Sequence, residues 1–349
     1  MRKLWKIENV EALYDCIECN ESSLGIAMEE KDRYYKNILS IPKKDGVRLI
    51  CSVDKTCKLY RIQKNLQKNF LDNIMISDCA YGFRKGRDYF KYLKQHQDFY
   101  GNSNYLRLDI FRFFDSISET MLKDVLMYYI ETPSKEENEL VMSFLMQIIL
   151  YNNKLVQGTP LAPVISNIVF RSLDIRIERY CDKQNIRYSR YADDLLFSCS
   201  NNRALNKNFC RTIERILISK GFRINYKKTR KSKKDMVLNG YVVGENVRLS
   251  RKKMKPINRV LFYLEKNKYC GSKEWIVGYN TEMMSYIEEK NVLIESDDDL
   301  LNLLAGYRAY IISAIKNLEC ENFNVRAQRM IKRIENQLII IDKEKYGSN

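Results

Sequence analysis

Hydrophobic side chains recur at the three- and four-residue spacing of an amphipathic helix in several long stretches of the chain. Ser116 and Glu119 have the spacing of a capping box before one such stretch, and Gly221 follows another as a C-terminal glycine cap. The pattern predicts helices at these apolar positions: Leu59, Ile62, Leu66 and Phe70; Met121, Leu122, Val125, Leu126 and Tyr129; Ile165, Ile168, Val169, Leu173 and Ile177; Leu205, Phe209, Ile213, Ile216 and Leu217; Met254, Ile257, Val260, Leu261 and Leu264; Leu300, Leu304, Tyr307, Tyr310, Ile311 and Ala314.

Shorter β-prone runs lie between these helices. The order of the elements predicts a mixed α+β region followed by a basic helical tail. The predicted strands are Asn37–Pro42 and Val47–Val53 around a turn at Lys43–Gly46, Tyr105–Phe111, the alternating Phe222–Tyr226, and Val237–Val243 with Val247–Leu249 around a turn at Gly244–Asn246.

Composition narrows the class of protein. The 349 residues are enough for two or three packed units, and 45% are hydrophobic, which disfavours global disorder. The net charge of +16 favours a polyanionic partner such as nucleic acid, although a basic surface also serves solubility or attraction to anionic lipid. No apolar run approaches membrane-spanning length, and Met1–Lys6 soon meets charged residues. We therefore expect a cytoplasmic protein with no membrane partner.

The cysteines and the single histidine exclude several chemistries. Of ten cysteines only Cys16 and Cys19 are closely spaced, and His96 alone cannot complete a usual zinc site. One histidine also disfavours Ser-His-Asp and Cys-His catalysis. Most of the thiols are expected to pack as small apolar side chains in a reducing compartment.

Two adjacent aspartates, Asp193 and Asp194, lie between the β-prone runs Ile186–Tyr191 and Leu195–Cys199. Like charges at contact distance resist joint ionisation, and divalent cations offset that cost. A hairpin with this pair at its tip would present a metal site. Asp297–Asp299 lacks such flanks and is interpreted as a solvated turn before a helix.

Asp109 is the best candidate for a third carboxylate, at the end of the predicted strand that begins at Tyr105. Carboxylates with a nearby backbone carbonyl suit magnesium, a hard cation that prefers oxygen ligands. Paired magnesium ions activate an attacking 3′-hydroxyl and stabilise a leaving pyrophosphate. Asp109 taken alone is equally well explained as a helix-entry residue.

Six segments stand in order along the chain: Ile41–Ile50, Ala80–Arg87, Leu108–Ile117, Gln157–Asn167, Tyr191–Asp194 and Ile224–Thr229. This ordered series resembles the motifs of the reverse transcriptase family, in particular its bacterial retron, defence-associated and group II intron branches, over roughly residues 37–250.

The resemblance implies a right-hand polymerase fold, α+β in class, whose palm combines an antiparallel sheet with helices. The implied domains are an N-terminal helical extension over 1–36, fingers over 37–108, a palm over 109–250 with a fingers insertion around 130–160, and a helical thumb over 251–349.

The resemblance also implies a role for each matching residue. Asp109, Asp193 and Asp194 would be catalytic and would hold two Mg²⁺ ions, or Mn²⁺ in their place, with the Ile110 carbonyl as an added ligand. The implied nucleotide-binding residues are Lys43, Arg48, Phe114, Gln157, Gly158 and Lys228; the implied nucleic-acid-binding residues are Tyr81, Arg84, Arg87, Lys252, Lys253, Lys255 and Arg259.

Several of these residues also have purely structural explanations. Phe114 matches the aromatic that excludes a 2′-hydroxyl, but it also suits core packing. Lys43 and Arg48 match residues that grip the triphosphate, but a basic hairpin tip is an alternative. Gln157 and Gly158 match the segment beside the nascent base pair, but a glycine there also shapes a helix entrance.

Two signatures of the retron branch are altered. Retron enzymes carry Asn-Ala-x-x-His where this chain has Tyr92–His96, and Val-Thr-Gly where it has Leu238–Gly240. These departures favour a neighbouring defence-associated group. We therefore expect an RNA-directed DNA polymerase that copies a dedicated non-coding RNA template or primer into a DNA product from deoxynucleoside triphosphates, in anti-phage defence.

Further partners and alternatives stay open at this level. A companion or effector protein encoded nearby and a homo- or hetero-oligomer are expected partners. The alternative functions are a retron enzyme that makes branched RNA–DNA, template-independent or protein-primed synthesis by the same palm, and a non-catalytic RNA-binding defence scaffold.

Overall fold

The computed structural model describes residues 5–43, 46–98, 103–201, 203–286, 292–317 and 321–346, without the side chains of 36–43, 46–50, 321–322 and 346. Two compact units divide the chain. The first unit comprises Met1–Gln95 and Asn104–Lys231, and the second comprises His96–Ser103 and Ser232–Asn349. The predicted domain limits remain predictions; the division between the units falls within a strand at Arg230–Lys233.

The first unit combines helices with two β-sheets, which confirms the α+β class. Its helices are α1 (Val10–Ile17), α2 (Glu21–Glu29), α3 (Lys31–Tyr34), α4 (Lys58–Asn69), α5 (Tyr89–Lys94), α6 (Glu119–Leu126), α7 (Lys135–Ile149), α8 (Leu161–Asp182) and α9 (Lys207–Ile218). Its strands are β1 (Tyr35–Lys43), β2 (Gly46–Val53), β3 (Asn104–Asp109), β4 (Arg187–Tyr191), β5 (Asp194–Cys199) and the first half of β6 (Arg230–Lys233).

The sheet of four strands, in the order β4-β5-β3-β6, positions the predicted carboxylates. Strand β5 is buried at every position and pairs antiparallel with both β3 and β4. Helix α8 packs into the same core along its whole length, with Ile165, Phe170 and Ile177 almost fully buried. Each such side chain contributes about 1.5–3 kcal/mol by leaving water. The central strand and the central helix therefore form a rigid frame.

The second unit begins with short strands and continues as helices, as the hydrophobic spacing predicts. Its strands are β7 (Met236–Leu238), β8 (Tyr241–Val243) and β9 (Arg248–Leu249), and its helices are α10 (Arg251–Lys266), α11 (Lys273–Tyr286), α12 (Asp297–Asn317) and α13 (Glu321–Tyr346). No helix in the described part of the chain combines the length and the apolar character needed to cross a bilayer.

Four local predictions were wrong. Ser118, not Ser116, caps α6, because its hydroxyl accepts from the Met121 N–H at 3.2 Å. The predicted strand Phe222–Tyr226 is a single bridge between Ile224 and Ile110, followed by a 3-10 turn.

The other two errors concern turns. The predicted strand Val237–Val243 is two strands, because Asn239 and Gly240 have φ values of +46° and +91° and reverse the chain. Asp297–Asp299 forms the first turn of α12 rather than a separate turn. There the Asp299 carboxylate accepts from the Ser296 N–H at 2.9 Å, and the Asp299 N–H donates to the Ser296 hydroxyl at 3.2 Å, a reciprocal cap.

Candidate active site

The last residue of β3 and the first residue of β5 face each other across the antiparallel ladder: Asp109 pairs with Asp194. The N–H of Ile110 donates to the Asp193 carbonyl at 3.0 Å and ties the chain leaving β3 to the β4–β5 turn. Asp109 is 1% exposed and Asp194 is 6% exposed, while Asp193 is half-buried. The three carboxylates predicted from the sequence therefore lie together at one end of the sheet.

The turn that carries Asp193 is tight and closely packed. Ala192 has a φ of +55°, in the left-handed region that costs energy for a residue with a Cβ. Gly82 packs against it so closely that a Cβ on Gly82 would lie 2.6 Å from the Ala192 nitrogen. The Tyr81 N–H also donates to the Arg190 carbonyl at 2.8 Å. The predicted segment Ala80–Arg87 thus supports the turn directly.

Asp109 is held by two side chains from the segment after Ile224. The Lys228 ammonium donates to Oδ2 at 2.8 Å, and the Asn225 amide donates to Oδ1 at 2.9 Å. The Asn225 backbone N–H also donates to the Asp109 carbonyl at 2.7 Å. The structure therefore places Lys228 beside the carboxylates. It also adds Asn225, a residue of the segment Ile224–Thr229 to which the sequence assigned no role.

Asp194 has its own cationic partner, Arg107. The Arg107 Nε and Nη2 atoms donate to the same Asp194 oxygen at 2.9 and 2.5 Å. Arg107 lies two residues before Asp109 on β3, so both side chains project from the same face of the strand. That alternation is the signal by which the sequence could have identified Arg107.

Burial shifts the pKa values of two of the carboxylates. It raises the pKa of Asp194 to about 6, against the opposing charge of Arg107. It also raises the pKa of Asp193, and the nearby charge of Asp109 raises it further. The ionised form of each carboxyl is therefore unfavourable here without added positive charge.

These residues fit a divalent metal by their chemistry. In the described part of the chain, no three Asp, Glu, His or Cys side chains are gathered closely enough to hold a metal as they stand. Lys228 and Arg107 engage oxygens of Asp109 and Asp194. Three hard carboxylate donors against two cations still leave a net negative charge, which suits a divalent ion. The buried Ile110 lies at the same place, and the role of its carbonyl remains a prediction.

The hairpin of β1 and β2 carries Lys43 and Arg48. Lys43 pairs with Gly46, and Arg48 pairs with Ile41 across the ladder. The side chains of Lys43 and Arg48 lie outside the described part of the structure, so their contact with a triphosphate remains a prediction.

Phe114 lies half-buried in the turn after β3. Its ring centroid is 5.3 Å from that of Phe113, which is a core residue, and 6.2 Å from that of Phe83. Phe83 is 48% exposed and has a φ of +61°. Phe114 therefore joins the core to an exposed aromatic, and its role against an incoming sugar remains a prediction.

Gly158 approaches the backbone of β2. Its N–H donates to the Cys51 carbonyl at 3.1 Å, and a Cβ there would lie 2.2 Å from that oxygen and 2.5 Å from Ser52 Cα. This backbone contact alone excludes any side chain at position 158. The structure thus explains the glycine, while nucleotide contacts by Gly158 and the half-buried Gln157 remain predictions.

The predicted nucleic-acid contacts of the first unit are engaged within the protein. Tyr81 is buried, and the Arg87 guanidinium lies 4.7 Å from its ring centroid. Arg84 donates to the carbonyls of Ser77 and Ala80 at 2.7 and 3.2 Å. These contacts hold the loop that supports the turn, and binding of nucleic acid by these residues remains a prediction.

Helix α10 of the second unit displays a basic face. Lys252, Lys253 and Lys255 are exposed. Arg259 instead forms an ion pair with Glu282, and its guanidinium lies 3.5 Å from the ring centroid of Tyr286. The three lysines therefore suit phosphate contacts more directly than Arg259 does.

Residues 41–257 match a family model described as reverse transcriptase (RNA-dependent DNA polymerase). The retron Ec86 reverse transcriptase of Escherichia coli is 30% identical over 77% of this chain and 81% of its own length. The retron Ec83 enzyme of the same organism is 29% identical over 50% of this chain and 55% of its own length. The retron Mx65 enzyme of Myxococcus xanthus is 26% identical over 68% of this chain and 57% of its own length. Among solved structures, a telomerase from Candida albicans with a fragment of telomeric RNA has a TM-score of 0.47 at 12% identity, over 89% of this chain and 66% of that chain.

Proposed function

Since this chain belongs to the reverse transcriptase family, we propose that it copies a dedicated non-coding RNA into DNA at a site formed by Asp109, Asp193 and Asp194. Membership gives it the right-hand polymerase fold and the activity of an RNA-directed DNA polymerase of the bacterial retron type. The catalytic residues, the ion and the template belong to the proposal.

One observation carries the assignment of the site. Asp109 and Asp194 are direct partners across β3 and β5, with Asp193 in the adjoining turn. Asp109 comes from one motif and the Asp193–Asp194 pair from another, and burial makes the charges of Asp193 and Asp194 unfavourable unless cations approach. A structural role has no use for such a cluster, whereas a phosphoryl-transfer site requires it.

The three carboxylates would hold a pair of Mg²⁺ ions, which supply Lewis-acid stabilisation of the attacking and leaving oxygens when bound. The chain's own groups orient them: Asn225 fixes the Asp109 carboxylate and Arg107 fixes that of Asp194. Lys228, half exposed beside Asp109, supplies a cation that can turn towards a triphosphate.

Primer extension tests this assignment. The wild-type protein, Mg²⁺, deoxynucleotides and a primed RNA template should give DNA. Asp193→Ala with Asp194→Ala should lower the rate by about a thousandfold or more, the loss expected on removing the principal electrostatic stabilisation of a transition state.

A matched control is Asp297→Ala with Asp298→Ala, which removes another adjacent carboxylate pair, at the start of α12. This variant should extend primers at the wild-type rate. Full activity in the Asp193/Asp194 variant would refute the assigned site.

The biological product is a second, separate question. The 30% identity to a retron enzyme over most of both chains favours synthesis of a retron-type DNA covalently linked to RNA, despite the altered Tyr92–His96 and Leu238–Gly240 segments. Co-expression with the DNA flanking the gene, followed by nuclease treatment of the isolated product, distinguishes RNA-linked DNA from free DNA. A product that RNase leaves attached to a ribonucleotide supports the retron reaction, whereas a free DNA strand supports the other defence-associated group.

The defence role and its partners can be tested in cells. Protection against phage should disappear in the triple alanine variant at positions 109, 193 and 194. Protection that persists without the carboxylates would support a non-catalytic RNA-binding scaffold, and purification of the wild-type protein from the same cells would identify a companion effector.

A further inference from the structure

A fully buried ion pair lies directly behind the turn that carries the carboxylates. Arg190 and Asp174 are both 0% exposed. The Arg190 Nε donates to Asp174 Oδ1 at 2.9 Å, and Nη2 donates to Oδ2 at 2.7 Å, so the guanidinium and the carboxylate meet through two parallel hydrogen bonds. Burial lowers the pKa of Arg190, but the Asp174 charge outweighs it and raises the pKa above its ordinary value. The guanidinium is therefore charged inside the core.

Arg190 uses its remaining donors to reach two other parts of the site. Its Nη1 donates to the carbonyl of Ala192 at 3.0 Å, and its Nη2 also donates to the Asn167 side-chain oxygen at 3.0 Å. The Asn167 amide in turn donates to the Gly82 carbonyl at 2.8 Å. One side chain thus connects helix α8, the turn before Asp193 and the segment packed against that turn.

Stability alone does not account for this pair. Two buried charges lose their hydration, and apolar side chains of similar volume are often as stable or more stable in the same place. What an apolar pair cannot provide is a set of directed hydrogen bonds to a strained backbone. Ala192, with its φ of +55°, is the residue whose carbonyl receives one of them.

We propose that Arg190 is a positioning residue for nucleotidyl transfer, which holds the Ala192 turn so that Asp193 and Asp194 are set for cation binding. Asp174 and Asn167 orient Arg190, and this role requires the planar guanidinium, whose N–H donors point in several fixed directions. A lysine keeps the charge but has a single ammonium, which cannot reach Asp174, Asn167 and Ala192 together. The inference rests on the proposed role of Asp193 and Asp194 in holding divalent cations.

The test measures cation binding separately from activity. Mg²⁺ is titrated into wild type and Arg190→Lys without nucleic acid, by calorimetry and by the rise in melting temperature. Primer extension then gives kcat and KM for the deoxynucleotide. Arg190→Lys should bind Mg²⁺ about 10- to 100-fold more weakly, as expected when a partner of a metal ligand is lost. Its kcat should fall by roughly tenfold or more, with KM changed by less than about twofold.

Two controls separate positioning from folding. Arg187→Lys makes the same exchange at an exposed position on β4 and should change neither Mg²⁺ affinity nor kcat. Ile177→Ala cuts a fully buried side chain on α8, one turn from Asp174, and should lower the melting temperature while leaving Mg²⁺ affinity intact.

Wild-type Mg²⁺ affinity in Arg190→Lys would overturn the proposal. If that variant does not fold, Arg190→Met with Asp174→Leu replaces the pair by apolar side chains. This double variant should fold and bind Mg²⁺ weakly, and wild-type affinity in it would equally overturn the proposal. Absence of polymerase activity in the wild type would instead refute the proposed function, so the two failures are distinguishable.

Discussion

The Lys228 ammonium lies 2.8 Å from Asp109 Oδ2, so a lysine that follows the aspartate pair in the sequence neutralises the most buried carboxylate of the site. Without a metal, this lysine and Arg107 supply the positive charge that the cluster requires. Cation binding at Asp109, as proposed above, would therefore compete with an internal ion pair.

Replacing Lys228 by methionine should strengthen Mg²⁺ binding to the free protein. The Lys228 side chain is 52% exposed. The competing ion pair is therefore screened by solvent, and we expect a gain of only about two- to fivefold in affinity. Calorimetric titration measures it, with Lys227→Met as the control at the neighbouring exposed position. Unchanged Mg²⁺ affinity in Lys228→Met would show that the ion pair does not compete. Primer extension by the same variant should require more deoxynucleotide, because Lys228 is a cation proposed to turn towards the triphosphate.

Asp193→Asn should abolish activity and yet stabilise the metal-free protein. Burial and the charge of Asp109 raise the pKa of Asp193, so at neutral pH its ionised form opposes folding, and an uncharged isostere removes that cost. We expect the melting temperature in EDTA to rise by a few degrees, at about 2–4 °C for each kcal/mol. Asp124→Asn, at an exposed position on α6, should leave it unchanged. An Asp193→Asn protein that melts below the wild type in EDTA would contradict the pKa direction.

Mg²⁺ affinity should fall as the pH drops below about 6. The Asp194 pKa is raised to about 6, so the carboxylate is ionised above that pH and protonated below it. Because the metal binds the ionised form, each further unit of pH below 6 should weaken binding by about tenfold. Titrations between pH 5 and 8 measure this, and Asp194→Asn should lose the pH dependence along with most of the affinity. A wild-type profile that stays flat down to pH 5 would be inconsistent with the raised pKa.

The convergence of Asp109 with the aspartate pair was accessible from the sequence, since Asp109 ends one β-prone run and the pair lies between two others. The hydrogen-bond and ion-pair partners of these carboxylates were not accessible from the sequence. The alternation along β3 places Arg107 on the same face as Asp109, but the linear order does not identify Asp194 as its partner, because that contact depends on strand register. Nor does the linear order indicate that Asn225 meets Asp109. The Arg190 network was equally hidden, since its members come from separate motifs.

Two of the wrong strand predictions, Val237–Val243 and Phe222–Tyr226, have specific physical causes. Asn239-Gly240 is a strong two-residue hairpin signal, but the apolar residues on either side make it look like one continuous strand. Phe222–Tyr226 alternates apolar and polar residues as a strand does. After Ile224, however, the side chain and the backbone N–H of Asn225 both donate hydrogen bonds to Asp109. In the second case the site itself determines the local conformation.

Gly158→Ala should be strongly destabilising, whereas Gly306→Ala should be stabilising. A Cβ at Gly158 would lie 2.2 Å from the Cys51 carbonyl oxygen, and the backbone there has to move, at about 1–3 kcal/mol or more. Nothing lies within 4 Å of a Cβ at Gly306, inside α12, so alanine should gain about 0.5–1 kcal/mol there. Denaturant unfolding of the two variants measures the difference, and equal stabilities would contradict the close contact of Gly158 with β2.

Phe114→Val should relax the discrimination between deoxy- and ribonucleotides if Phe114 occupies the place of the sugar-contacting aromatic. We expect kcat/KM for a ribonucleotide to rise about tenfold or more relative to the matching deoxynucleotide, as one lost steric contact is worth about 1–3 kcal/mol. Phe111→Val, at an exposed ring in the same turn, is the control. A variant with wild-type discrimination would restrict Phe114 to packing against Phe113 and Phe83.

Asp109 and its partner Asn225 are separated by 116 residues in the chain. At a bacterial elongation rate of about 5–20 residues per second, the ribosome needs roughly 6–23 s to supply Asn225 after Asp109 has been made. For that interval the nascent chain carries its first carboxylate without the groups that orient it. Asp109 can therefore reach the hydrogen-bonded arrangement described above only after nearly all of the first unit has been synthesised.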